Sequence, residues 1–250
     1  MVKMELHRSP DPEQADPVKV RACADRPIFF PERQTCFLDS FDTIRIINLP
    51  ERTDRRQEMG AELEAIGLNG DPRVAFFDAI RPDSPGSFSS AGARGCFEGH
   101  CQILAEAADE RQSVLILEDD CAFTPRTRTF STGEPWDVFY GGYRAKDPHD
   151  LQNSDIQESH MMGFTARGAR LVADFLQNLR FNGTHPPIDA AYVWFRRAFP
   201  QVATVFASPP LANQRPSASD IAPRPWDRFP LTRKVMSDLR KVRASLTGAS

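Results

Sequence analysis

This chain of 250 residues has little of what marks several common protein classes. Its five cysteines (Cys23, Cys36, Cys96, Cys101, Cys121) are odd in number and contain no CxxC pair, so they read as reduced thiols, not as a disulfide framework or a zinc site. No apolar run is long enough to cross a bilayer. The first residues, Met1-Val2-Lys3-Met4-Glu5, lack the apolar segment of a signal peptide, which predicts a cytoplasmic protein. There is no large charge excess. A formal net charge of −3 gives no global electrostatic case for binding nucleic acid or a membrane surface. No internal repeat is visible. The hydrophobic fraction of 40% and mean hydropathy of −0.44 suit a soluble domain with polar extensions.

What the chain does have is concentrated in Leu115-Ile116-Leu117-Glu118-Asp119-Asp120, a short aliphatic run ending in three carboxylates. The run is too short for a typical helix and reads as a buried strand of an α/β sheet. Alternation along a strand places Glu118 and Asp120 on one face and Asp119 on the other. Paired carboxylates at a strand end repel unless a cation lies between them, and an oxygen-only pair suits Mn²⁺ or Mg²⁺ better than zinc. The alternative is a solvated acidic turn. Asp119, facing the other way, is suited to anchoring the strand by hydrogen bonds.

The surrounding pattern is β-α-β. Thr43–Leu49 reads as a strand ended by Pro50 and followed by a helix capped at Thr53 or Asp54, with Met59, Leu63 and Ile66 on one face and Gly67 at its end. Val74–Phe77 is a second strand. Residues 81–94 read as a loop, about 95–109 as a helix, and Asp137–Gly142 as a strand stopping at paired glycines. The polar stretch 144–157 reads as mobile, Met161–Thr165 as a strand, Arg167–Leu179 and Asp189–Phe199 as helices, and Val202–Ala207 as a last strand. Residues 1–40, rich in proline and charge, predict a partly disordered N-terminal extension. Residues 41–222 form the predicted catalytic domain, and 223–250 a basic, helical C-terminal tail.

Four segments, in order, resemble glycosyltransferase family 25, the lipopolysaccharide-biosynthesis and collagen-galactosyltransferase-like group. They are Ile46-Ile47-Asn48-Leu49 with Arg52, Asp54, Arg55 and Arg56; Gly95-Cys96-Phe97-Glu98-Gly99-His100; Leu117-Glu118-Asp119-Asp120; and Ser159-His160 through Gly168-Ala169. The resemblance spans about residues 44–215. Two departures stand out: Gly99 where the family pattern has serine, and Met162 where an aromatic is common. These put inheritance of the family's sugar specificity in doubt.

The resemblance implies a GT-A-like, Rossmann-type mixed sheet flanked by helices. It also implies an inverting transfer from a nucleotide-sugar, most often a UDP-sugar, to a saccharide or glycolipid acceptor in surface-glycan assembly. A divalent metal, commonly manganese, belongs to the same expectation, held by Asp120 with Glu118 supporting it or reaching the ribose.

Arg52, Arg55 and Arg56 are candidates to pair with donor phosphate, since guanidinium matches phosphate oxygens bidentately; the alternative is solvated charge on a first helical turn. Asn48 is a candidate for the base. His100 and His160 are candidates for the donor side, against ordinary structural hydrogen bonding. Asp189 resembles the family's late acidic position and is the candidate general base, with N-capping as its alternative role. Gln214 and Asp220 are weaker candidates for the acceptor side. Cys96 and Cys121 read as small buried hydrophobes. The basic tail is an ordinary solvated helix or a dock for an anionic inner-membrane surface. Two rivals remain: a non-catalytic carbohydrate-binding or adhesion relative, and a metal-dependent phosphohydrolase.

Overall fold

A computed structural model describes residues 36–215. The first 35 residues and those from 216 onward, including the basic tail and Asp220, lie outside the described residues. Eight strands and four helices make up the described part. In chain order they are β1 (Thr43–Asn48), α1 (Thr53–Ile66), β2 (Val74–Asp78), α2 (Ala91–Glu110), β3 (Val114–Glu118), β4 (Cys121–Phe123), β5 (Val138–Ala145), β6 (Ile156–Phe164), α3 (Ala166–Gln177), α4 (Ile188–Ala198), β7 (Thr204–Phe206) and β8 (Ala212–Gln214).

Six strands form one mixed sheet in the order β2-β1-β3-β6-β5-β7, and β4 pairs with β8 in a small antiparallel ribbon. β1, β2 and β3 run parallel, β6 is antiparallel to both β3 and β5, and β5 runs parallel to β7. This is the mixed α/β architecture that the strand pattern predicts, and it is consistent with the helix-flanked, Rossmann-type sheet that the resemblance implies.

Strand alternation sorts the core into two layers. Ile44 and Ile46 of β1 and Leu115 and Leu117 of β3 pack with Met59, Leu63 and Ile66 of α1. Val114 and Ile116 of β3 face the opposite way, into a core shared with Phe97, Ile103 and Leu104 of α2 and with α3 and α4. α1 and α2 therefore cover opposite faces of the sheet. The chain leaves β1 outward to β2 and returns across it to β3, so the strand order reverses between β1 and β3. In open α/β sheets the crevice at such a reversal is where ligands bind.

Several local expectations are revised. The short 3-10 turn Phe37–Ser40 lies within the stretch read as an extension, yet Phe37 and Leu38 are buried in the α1-side core, beside Phe41. Arg73 ties this turn down by donating to the carbonyls of Leu38 and Phe41. Helix α1 begins at Thr53 with Arg52, not Thr53 or Asp54, at its N-cap, and there is no side-chain cap because a guanidinium only donates; it instead holds Asp54 in the first turn. Gly67 closes the helix in the left-handed conformation, as predicted. Helix α2 begins at Ala91, inside the expected loop, because the Ser90 hydroxyl accepts the amide of Ala93. β5 runs through the paired glycines with shifts in register, and β4 and β8 are additional to the sequence-predicted strands.

Candidate active site at the carboxyl edge of β1 and β3

The acidic run sits at the strand reversal, and alternation decides its neighbours. Glu118, the last residue of β3, falls on the same side as Val114 and Ile116 and so faces α2. Asp119 falls on the α1 side. Asn48, the last residue of β1, alternates with Ile44 and Ile46 and also turns toward α1. Beyond Glu118 the chain enters a tight turn at Asp119-Asp120, so strict strand alternation no longer governs Asp120.

Asp119 is locked in place. Its Oδ1 accepts from Arg55 Nη1 at 2.6 Å and its Oδ2 from Asn48 Nδ2 at 2.8 Å. The expected anchoring role is what the geometry provides. Arg215 reinforces the turn by donating from Nη1 to the Cys121 carbonyl at 2.6 Å and from Nη2 to the Asp119 carbonyl. Arg215 also pairs with Glu58 and Glu62 of α1.

Asp120 differs from Asp119. Its Oδ2 accepts from Gln214 Nε2 at 3.1 Å and lies 3.9 Å from Arg55 Nη1, while its buried Oδ1 has no hydrogen-bond partner. Burial raises its pKa, and the Arg55 charge opposes that rise. The Glu118 carboxyl is pushed well above the usual carboxylate range, first by burial, then by the negative charges of Asp120 and Asp189. Two mutually repelling carboxylates, one with an orphaned oxygen, fit a hard divalent cation bound through oxygen.

The other sequence candidates divide by environment. Asn48 is almost fully buried, and its amide serves Asp119, the Arg52 carbonyl and Arg56 Nε. Arg52 holds Asp54, whose pKa falls to about 2 chiefly through that hydrogen bond. Arg55 is buried against Asp119. Arg56 lies over the Phe76 ring, 3.7 Å from Asp78, with 42% of its side chain exposed. It is the arginine of the three with most access to solvent.

His160 is buried, with Nε2 3.0 Å from the Ala212 carbonyl, so it braces β6 against β8. The Cys121 thiol donates to the His160 carbonyl at 2.7 Å. Gly142 makes room for this imidazole, since a Cβ there would lie 2.5 Å from His160 Nε2.

Asp189 occupies the first turn of α4, but Pro187 is the N-cap residue. The Asp189 carboxylate reaches β6 instead. Its Oδ2 accepts the amide of Glu158 at 3.0 Å and its Oδ1 that of Ser159 at 3.2 Å. Glu158 has φ of 58°, so Asp189 holds a strained backbone position. Its charge also contributes to raising the Glu118 pKa.

On the α2 side, Cys96 and His100 are one helical turn apart and share a face. His100 is fully buried; its Nδ1 lies 2.8 Å from the Tyr192 hydroxyl, and its Nε2 has no partner. Burial lowers its pKa to about 3, which keeps the imidazole neutral. Ligand atoms of Cys96, His100 and Glu118 lie within 4.8 Å of one another. Cys96 packs against the core as a small hydrophobe, as expected, and in addition lies in this grouping. The i, i+4 spacing of a cysteine and a histidine was the available signal, and Tyr192 had none.

No family model matches this chain, and no curated protein matches it. Eighteen chains of solved structures match. One is a glycosyltransferase involved in glycosylation of the major capsid of PBCV-1, at 12% identity over 80% of this chain and 98% of that one, with a TM-score of 0.45.

Proposed function

We propose that the protein is a divalent-metal-dependent, inverting glycosyltransferase that moves a sugar from a nucleotide-sugar, most suitably a UDP-sugar, to a saccharide acceptor in surface-glycan assembly. The observation that carries this reading is the pair of mutually repelling carboxylates, Glu118 and Asp120, at the β1/β3 reversal, with Asp120 Oδ1 buried and unpartnered. The ordered motifs resembling glycosyltransferase family 25 support the same chemistry.

In this reading Asp120 and Glu118 hold Mn²⁺ or Mg²⁺. The ion would supply a Lewis acid that neutralises charge developing on the leaving diphosphate. Asp119, fixed by Arg55 and Asn48, sets the position of the turn that carries Asp120. Gln214 occupies the other oxygen of Asp120 and so orients Oδ1. Arg56, the most exposed of the three arginines, is suited to a donor phosphate.

Asp189 would take the proton of the acceptor hydroxyl as that oxygen attacks the anomeric carbon and the nucleotide diphosphate departs. Both of its oxygens already accept backbone amides, which fixes the carboxylate and leaves each oxygen a further lone pair. Among the described residues no helix is long and apolar enough to cross a membrane. A cytoplasmic enzyme meeting a lipid-linked acceptor through the basic tail fits this reading.

The test is turnover of a panel of nucleotide-sugars with Mn²⁺ and mixed glycan acceptors, read as release of the nucleotide. Wild type should release one nucleotide class in an acceptor-dependent way, and Asp189→Asn should lose at least about 100-fold in rate while still binding the nucleotide. Equal release without acceptor, or an Asp189→Asn rate equal to wild type, would overturn the assignment of Asp189.

A further inference from the structure

We infer that Cys96, His100 and Glu118 form a second cation site, selective for a borderline ion of the zinc class, sharing Glu118 with the oxygen-only pair. This set lies outside the resemblance-based metal reading, and it reverses the expectation that none of the cysteines serves zinc.

Three observations carry it. The ligand atoms lie within 4.8 Å of one another, against about 3.5 Å for ligands on one tetrahedral zinc, so a bound ion would draw them closer together. His100 is fully buried, with one nitrogen held by Tyr192 and the other without any partner. A buried imidazole nitrogen left unpaired is costly whether it carries a hydrogen or a lone pair, unless a ligand meets it. The Tyr192 hydroxyl on Nδ1 is also the kind of outer hydrogen bond that orients a metal-binding histidine and leaves Nε2 as the donor atom.

The donor chemistry sets the ion. A thiolate and an imidazole favour zinc or cobalt over manganese or magnesium, whereas Glu118 with Asp120 favours the reverse. Binding replaces the thiol proton of Cys96, which leaves to solvent, and three protein ligands keep a fourth position for water or a ligand oxygen.

The test uses the full chain, stripped with chelator and titrated with Co²⁺ alone, read by absorption. Cobalt bound to thiolate gives an intense near-ultraviolet charge-transfer band that carboxylate-bound cobalt lacks. The expected result is a band saturating at about one equivalent per chain, lost in Cys96→Ser, retained in Cys36→Ser and Asp120→Ala, and displaced by zinc but not by magnesium. Circular dichroism of each variant verifies folding. No thiolate band in wild type, a band surviving in Cys96→Ser, or one lost in Asp120→Ala with the fold intact would each overturn the site. No nucleotide or sugar enters this experiment, so its outcome is independent of the proposed transferase activity.

Discussion

Arg55 Nη1 lies 2.6 Å from Oδ1 of Asp119 and 3.9 Å from Oδ2 of Asp120, so one buried guanidinium serves two adjacent carboxylates unequally. Asp119 is neutralised and hydrogen-bonded from both sides. Asp120 is left with one oxygen unpaired. The same arginine thereby fixes the turn and leaves the carboxylate beside it available to a cation.

Arg55→Ala should accordingly destabilise the protein by about 3 kcal/mol, because it strands the Asp119 charge in a buried site. Arg55→Lys should recover only part of that loss, since an ammonium does not reproduce the guanidinium fork. Urea unfolding of the three proteins measures both effects. An Arg55→Ala loss below about 1 kcal/mol would place the turn's stability elsewhere, in Arg215 for example.

The carboxylate pair should cost stability when no cation is bound. In chelator, Glu118→Gln should be more stable than wild type by about 1 kcal/mol, because it removes repulsion among Glu118, Asp120 and Asp189. Adding Mn²⁺ should raise the wild-type melting temperature and leave the variant's unchanged. Thermal melts with and without Mn²⁺ read both effects. A variant less stable than wild type in chelator would contradict the repulsion argument.

Asp71 predicts a pH dependence remote from the site. Its pKa lies below the ordinary 3.8, chiefly because Arg73 hydrogen-bonds it. The unfolded carboxyl takes up a proton more readily than the folded one. This stabilisation is therefore present above pH 3.8 and is lost as pH falls through the lowered folded value. Asp71→Asn should cost up to about 1 kcal/mol at neutral pH, and the difference from wild type should vanish in acid. Because Arg73 also holds the Leu38 and Phe41 carbonyls, amide exchange in Phe37–Phe41 should quicken in the variant. Paired melts across pH, with exchange at neutral pH, check this prediction.

Gly142→Ala should disturb the site from behind. The added Cβ would lie 2.5 Å from His160 Nε2, displacing the imidazole from the Ala212 carbonyl and loosening β8, which carries Gln214. Overpacking of this kind costs about 2 kcal/mol, and the Mn²⁺-dependent rise in melting temperature should shrink with it. An unchanged cation response would separate β8 from the cation site.

Much of the fold was legible because apolar runs and breakers carry strong local signals. β1, α1 with Gly67, β2 and β3 all lie close to where their patterns place them. β4 and β8 were not legible: they are three residues each and pair across 90 positions or so of sequence, so their stability comes from contacts that no local pattern encodes. The strand-end carboxylates were legible as a group. The anchoring role of Asp119 was legible too, but its partners Arg55 and Asn48 and the placing of Asp120 were not, because the strand ends at Glu118 and the following turn, not alternation, positions Asp120. The extra grouping of Cys96 and His100 with Glu118 depends on which face of the sheet α2 covers, which only the crossover settles.

The measurement that bears most directly on the account is a thermal-shift comparison of UDP, GDP, CMP and dTDP, each with and without Mn²⁺, in wild type and Asp120→Ala. A ligand that binds only the native state raises its apparent stability. The account predicts a shift with one nucleotide class, most suitably UDP, that requires Mn²⁺ and disappears in Asp120→Ala. A flat response from well-folded wild type across the panel would contradict it and favour a carbohydrate-binding protein without transferase chemistry.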